Sequence, residues 1–317
     1  MKRFLLVCLG LLAVAVLLMA GYDYVNLILV RGCTANSAGK IERIFSSDTQ
    51  DEIALFGSSR ALGNYCPSMI ASGFYDYGMN GQGMTETLFL VREYLKRHHP
   101  RMVLIDISPW GFDDPAKAKY VGDYRLVGTD KAIRKLLPYG LLLWADWLPG
   151  IRFQGNLRKA LTQYVNERRA TTKKIDCGAE ILLNSRTDKE WKVIDNELYD
   201  YDFKFSPDSQ RLIDEVYAVQ GDARVVWIVS PVAPNMRTRF KGEARLQEFL
   251  KEQVSRPKVY AYSCLDRTDE FRQELFVDHR HLNIRGAEKF SVAVKEFLGL
   301  EVLQAGVRGS CVFRFRY

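Results

Sequence analysis

Five short apolar runs recur along the chain, each closed by a turn-forming residue, and helical patterns lie between them. "IALFG" (53–57), "GFYDYG" (73–78), "MVLIDIS" (102–108), "RVVWIVSP" (224–231) and "KVYAYS" (258–263) have the length and the β-branched and aromatic content of strands. "TETLFLVREYLKRHH" (85–99) places apolar residues at helical spacing, ends in a basic turn that suits the helix dipole, and is stopped by Pro100. "SPDSQRLIDEVYAVQG" opens with Ser206 as an N-cap and Pro207 at the first helical position and closes on Gly221. "EARLQEFLKEQ" and the stretch from Gly286 to Leu298 complete the helices. Strands alternating with helices predict an α/β fold of three layers, α/β/α, around a mainly parallel five-stranded sheet. In such sheets ligands bind beyond the C-terminal ends of the strands. A reacting side chain should therefore sit just after a strand.

The rhythm fails at both ends and in the middle. Lys2 and Arg3 precede an uncharged apolar run from Phe4 to Tyr22. Roughly 20 apolar residues in a helix cross a bilayer core. A cleaved secretory signal with a poor site at Leu18-Met19-Ala20 fits the same pattern. The length of the run favours an uncleaved transmembrane anchor. On either reading the basic start stays cytoplasmic and the remainder is exported, which puts the protein in a bacterial cell membrane with its main domain extracytoplasmic. The expected organisation is an anchor over 1–22, an irregular lead-in over 23–50, the α/β domain over 51–300 with a helical insertion at about 111–204, and a tail over 301–317.

Composition adds limits. With 47% hydrophobic and 26% charged residues the chain is an ordinary globular protein, and it lacks repeats and heptads. A formal charge of +7 suits an anionic membrane surface or polymer, but no nucleic-acid-binding motif accompanies it. Cys33, Cys66, Cys177, Cys264 and Cys311 lie outside the apolar run at spacings that match no zinc site. In an exported chain Cys33 and Cys66 are a candidate disulfide, and an odd number leaves at least one thiol over.

The strand-end rule selects the chemistry. The first strand runs into Gly57-Ser58-Ser59-Arg60, where a serine at a strand-to-helix turn presents its hydroxyl beside backbone N–H groups suited to an oxyanion. A serine needs a base. "DHRHLN" (278–283) follows the fifth strand, so His281 can serve as that base and Asp278 can fix its tautomer. Taken singly, each motif has a plainer reading: Gly57-Ser58-Ser59 as a capped turn, Asp278 and His281 as a solvated loop pair, His98 and His99 as a basic helix end, and His279 as a bystander. Asp106 at the end of the third strand is a candidate rim residue, and Arg60 is either a ligand for an anionic group or half of a surface ion pair.

"ALFGSSRAL", "YGMNGQG" and "VDHRHLNIRGAEKFS", each after its strand and in this order, resemble the SGNH/GDSL hydrolase superfamily. The likeness is to the membrane-anchored exported branch that contains alginate O-acetylation proteins and the alanyl-transfer protein of teichoic acid modification. It covers roughly 51–110 and 222–298. It implies Ser59 as nucleophile, His281 and Asp278 as its partners, Gly81 as a backbone oxyanion donor with Asn80 beside it, and Ser58 as the runner-up nucleophile. It implies no metal and no organic cofactor. The third strand ends "IDISPW" where simple esterases carry an oxyanion Asn. Ser108 and Asn80 are placed to substitute, and members of the branch lack that Asn too. The implied function is O-acyl transfer to, or removal from, a cell-envelope or exopolysaccharide glycan, with a multi-span membrane acyltransferase as a possible partner. The alternative is a non-catalytic envelope assembly or glycan-binding protein that keeps the fold.

The insertion carries its own pattern. "LLPYGLLLWADWLPG" (136–150) is apolar but too short and too interrupted by Pro138 and Asp146 to span a bilayer, and it reads as a lid, a subdomain core or an interfacial segment. The following "RFQGNLRKALTQYVNERRATTKK" is basic with Glu167 as its one acid, which suits a membrane surface or an acidic polymer.

Overall fold

The computed structural model describes residues 1–45, 51–109, 156–169, 172–184, 191, 200–205 and 207–299. The apolar stretch 136–150, Ser206, Cys311 and the tail 301–317 lie outside the described residues. The chain forms two compact units, Met1–Ser46 with Tyr120–Arg169, and Ser47–Lys119 with Ala170–Tyr317.

The first unit contains α1 (Lys2–Arg31), α2 (Ser37–Phe45) and, after the third strand of the other unit, a helix over Asn156–Arg169. The apolar helix runs past Tyr22 to Arg31. Its 30 residues span about 45 Å, against about 30 Å for a hydrocarbon core. It is long and apolar enough to cross a membrane. Its outer turns are exposed, whereas Asn26 and Val30 near its C-terminal end are buried. The irregular lead-in expected over 23–50 is therefore corrected over its described residues: the first of them extend the apolar helix and Ser37–Phe45 form a second helix.

Glu167 explains how the unit is tied together. Its carboxylate accepts the backbone N–H groups of Thr34, Ala35 and Asn36 at 2.8, 3.2 and 3.1 Å. Those amides lead into α2, and Asn36 Oδ1 accepts from Gly39 N at 2.7 Å. An acid at a helix start satisfies orphan donors and complements the dipole. The single acid in the basic stretch has a structural task.

The second unit is the α/β domain. Its sheet strands are β1 (Ile53–Phe56), β2 (Phe74–Asp76), β3 (Met102–Asp106), β6 (Arg224–Val229) and β7 (Val259–Ser263), ordered β2-β1-β3-β6-β7 and parallel throughout. All five expected strands are present. Between β1 and β2 lie the short helices α3 (Ser59–Asn64) and α4 (Pro67–Ile70), and α5 (Met84–Arg97) follows β2. Counting Asn156–Arg169 as α6, the later helices are α7 (Pro207–Ala218), α8 (Pro234–Arg237), α9 (Glu243–Val254) and α10 (Ile284–Leu298).

Alternation along the strands builds two buried faces. Ile53 and Leu55, Met102 and Leu104, and Val226 and Ile228 pack with Tyr65 just after α3, Ile70 of α4, and Phe290 and Val294 of α10. On the other face Phe56 stacks on Tyr77 and meets Tyr94 of α5, while Trp227 packs edge-on against Phe249 of α9 and donates to Tyr217 of α7 at 2.9 Å. Strands buried on both sides read as unbroken apolar runs, which is why they were legible.

The insertion is not helical throughout. β4 (Lys173–Asp176) and β5 (Ala179–Leu182) form an antiparallel hairpin whose turn places Cys177 and Gly178 at φ 44° and 91°. Two successive residues at positive φ are the mark of a hairpin turn matched to strand twist. Cys177 O accepts from Asp76 N at 2.9 Å, and Ala179 and Ile181 enter the same core as α3. This part of the insertion completes the α/β domain. The disulfide expected between Cys33 and Cys66 is absent; both are buried free thiols, and burial pushes Cys33 up to about 11.

Candidate active site

The chain reverses its direction of sheet growth at β1: β2 pairs on one side of it and β3 on the other. That reversal is the point where open α/β sheets leave a crevice at the strand ends. The turn after β1 carries Gly57 and Ser58, and Ser59 is the first residue of α3. Ser58 is the N-cap, its hydroxyl accepting from Arg60 N at 3.5 Å. The cap leaves Ser59 Oγ available, and the structure places it 2.8 Å from His281 Nε2 across 222 residues of chain.

His281 and Asp278 lie on the loop that leads into α10. The loop is closed by Val277 N donating to His281 O at 2.9 Å and by a bridge between Phe276 and Leu282. His281 Nδ1 lies 2.8 Å from Asp278 Oδ2 and 3.0 Å from Oδ1. Asp278 Oδ1 also accepts the backbone N–H groups of Arg280 at 2.8 Å and His281 at 2.9 Å. Burial alone would push the Asp278 carboxyl up. The hydrogen bond and charge of His281, with the two backbone donors, outweigh it and hold the carboxyl at about 2. An ionised Asp278 accepts a hydrogen bond from Nδ1–H, which keeps the proton on Nδ1 and leaves Nε2 as the acceptor facing Ser59 Oγ.

The loop after β2 lies against the same turn. Tyr77 N donates to Leu55 O at 2.7 Å and Met79 N to Gly57 O at 3.0 Å. A Cβ on Gly78 would stand 2.6 Å from both Ala61 Cβ and Leu62 N, so only glycine fits where the loop crosses α3. Gly81 lies further along at φ 69°, exposed, with Asn80 exposed beside it. Gln82 is 5% exposed, and neither its amide oxygen nor its amide nitrogen has a hydrogen-bond partner.

Arg60 corrects its expected role. It is neither at the surface nor open to a ligand: it is fully buried, 3.7 Å from Asp106 Oδ1, and its guanidinium donates to the carbonyl and, at 2.7 Å, the hydroxyl of Ser230. Asp106 is equally buried and accepts from Tyr65 Oη at 2.6 Å. Burial raises the Asp106 carboxyl and lowers Arg60, and each charge opposes the shift of the other. Asp106 is thus a buried partner of the α3 helix and not a rim residue, and the adjoining Ser108 is buried too. His279 is turned to Asn235, with Nδ1 3.3 Å from its Oδ1, and packs near Trp191. His98 packs on Tyr94.

Sequence reading missed Asn64, the last residue of α3. It is fully buried, its Oδ1 accepts Leu282 N at 2.9 Å, and its Nδ2 donates to Arg280 O and Ser230 Oγ, both at 3.3 Å. The signal available in sequence was a polar residue on the buried face of a short helix. Among the described residues no group of three or more His, Cys, Asp or Glu side chains is placed to hold a metal ion.

Chemically, the arrangement can move a proton from a serine hydroxyl to an oriented imidazole. No protein family model matches the chain, and no curated protein matches it. One solved structure, described as "a putative platelet activating factor from Streptococcus pneumonia", is similar at 11% identity and a TM-score of 0.41, covering 92% of this chain and 98% of that one.

Proposed function

We propose that the chain is a membrane-anchored, extracytoplasmic serine acyl-ester enzyme of SGNH type that forms an acyl-Ser59 intermediate. The observation that carries this reading is the relay of Ser59 Oγ, His281 and Asp278, with 2.8 Å at each of its two links. His281 Nε2 takes the Ser59 proton as Oγ bonds to the carbonyl carbon of an ester. Collapse of the tetrahedral adduct breaks the ester C–O bond, and the imidazolium returns the proton to the departing alkoxide. Water or an acceptor hydroxyl, deprotonated by His281, then attacks the acyl-serine and releases Ser59. Hydrolysis and transfer differ only in that last nucleophile.

The Ser59 amide, in the first turn of α3 where intrahelical acceptors are lacking, and the Gly81 amide are the proposed oxyanion donors. The resemblance of the three motifs and the N-terminal apolar helix support an envelope or exopolysaccharide glycan as the acceptor or the acylated substrate. The direct test is a fluorophosphonate probe on the full chain in detergent, with the adduct located by mass spectrometry. The expected result is a label on Ser59 that is lost in Ser59→Ala and depends on His281. A folded chain that takes no label overturns the reading.

One observation favours a second reading. The end of β3, where simple esterases place an oxyanion Asn, carries Asp106 and Ser108, both buried. A hole one donor short costs about 10²–10³ in rate. A glycan-binding or assembly protein that keeps the fold would leave the site in this form, and it would bind acylated glycan without turning it over.

A further inference from the structure

His281 is held by its main chain as well as by its ring. Its own N–H goes to Asp278 Oδ1 at 2.9 Å, and its own C=O accepts from Val277 N at 2.9 Å. The two flanking groups, Arg280 C=O and Leu282 N–H, are both taken by the side-chain amide of Asn64, at 3.3 and 2.9 Å. Asn64 stands on the six-residue helix α3 that begins with Ser59. One rigid helical turn and a half therefore carries the nucleophile at its start and, at its end, the amide that holds the peptide groups on either side of the base.

The far side of that amide is anchored too. Nδ2 also reaches Ser230 Oγ at 3.3 Å, and Ser230, just past β6, is held by the Arg60 guanidinium. Arg60 is in turn paired with Asp106 at the end of β3. Asn64 is thus linked through Ser230 and Arg60 to the ends of β6 and β3, and all four side chains are buried. A primary amide offers an acceptor to an N–H and a donor to a C=O within one uncharged planar unit. Aspartate keeps the acceptor and loses the donor, and a hydrocarbon keeps neither.

We infer that Asn64 is a positioning residue for the proposed acyl transfer: it sets the distance and angle between Ser59 Oγ and His281 Nε2 by clamping both peptide groups that flank His281. The inference rests on the serine-enzyme reading above. It assigns no contact with substrate to Asn64. Misplacing a reacting pair by about 1 Å costs on the order of 10²-fold in rate. The loss should therefore fall on the chemical step and leave binding intact.

The experiment measures labelling of Ser59 by a fluorophosphonate, as rate against probe concentration, on the full chain as wild type, Asn64→Ala and Asn64→Asp. Thermal midpoints and near-ultraviolet circular dichroism are recorded alongside. Asn64→Ala should lower the limiting labelling rate about 10- to 100-fold with half-saturation unchanged. Asn64→Asp, nearly isosteric, should fall between it and wild type, and it decides the matter alone if Asn64→Ala does not fold. Labelling at the wild-type rate in both folded variants overturns the inference and leaves the serine-enzyme reading intact. A raised half-saturation with an unchanged limiting rate also overturns it, since Asn64 would then serve binding. A folded wild type that takes no label removes the reading beneath it.

Discussion

Asp278 grips His281 in two places at once: Oδ2 lies 2.8 Å from the ring Nδ1, and Oδ1 accepts the His281 backbone N–H at 2.9 Å. One carboxylate therefore fixes both the ring and the turn that carries it. Asp278→Asn keeps the size but can turn an N–H toward Nδ1, favouring the wrong tautomer. Labelling of Ser59 should fall by on the order of 10³–10⁴. A fall of less than tenfold would show that His281 does not depend on Asp278 for its orientation.

The same carboxylate makes stability depend on pH. Its value in the folded chain, about 2, lies below the ordinary 3.8. A depressed carboxyl stabilises the fold above its unfolded value and loses that contribution as pH falls through the folded one. The window is therefore pH 4 to 2. With the side chain 32% exposed, solvent screening reduces the contribution to about 1–2 kcal/mol. Thermal midpoints measured across this window should fall more steeply in wild type than in Asp278→Asn, and parallel curves would exclude the linkage.

Ser58 and Ser59 differ in task although they are neighbours. Ser58 caps α3 and Ser59 faces the imidazole. Ser58→Ala should cost about 1 kcal/mol of stability, as lost N-caps do, and should leave a label on Ser59. Ser59→Ala should keep the thermal midpoint and abolish the label. An adduct on Ser58 in the wild type would reverse the assignment.

The strands and the meeting of Ser59 with His281 were legible because both obey local rules. A strand buried on two faces is an apolar run that ends in Gly or Pro, and residues just past such ends fall at one sheet edge. Ser59 and His281 were thus paired across 222 residues from placement alone. The hairpin over Lys173–Leu182 is readable in principle, since Cys177-Gly178 is a turn dipeptide between alternating residues, but two strands of four residues are short and lie within the insertion over about 111–204 that is expected to be helical. Arg60 was out of reach for another reason. A cation beside a serine reads as surface charge, and its burial depends on Asp106 and Ser230, which arrive from two other strand ends. Asn64 likewise takes its meaning from Arg280 and Leu282, 216 and 218 residues away.

The Arg60–Asp106 pair supports the site from beneath. Removing one partner of a fully buried pair leaves an uncompensated charge and costs about 3–5 kcal/mol. Asp106→Leu should therefore lower the thermal midpoint sharply, and Arg60→Met should do the same. The double variant Arg60→Met with Asp106→Leu should recover much of the loss, because the remaining charge goes too. Additive losses in the double variant would show that the two residues act separately.

Gln82 is one of the buried polar groups left unsatisfied among the described residues. Both atoms of its amide lack partners at 5% exposure, in the loop that also carries Asn80 and Gly81. An unsatisfied buried amide costs about 1–3 kcal/mol, and natural folds keep few of them. An apolar residue of similar volume removes that cost, so Gln82→Leu should hold or raise the thermal midpoint. If the amide is kept because it meets an ester or a glycan in the bound state, the same change should slow labelling and turnover of an acetyl ester. A variant both more stable and slower is the signature of a group retained for its ligand at the expense of the fold. A variant more stable and equally fast would assign the amide no part in the reaction.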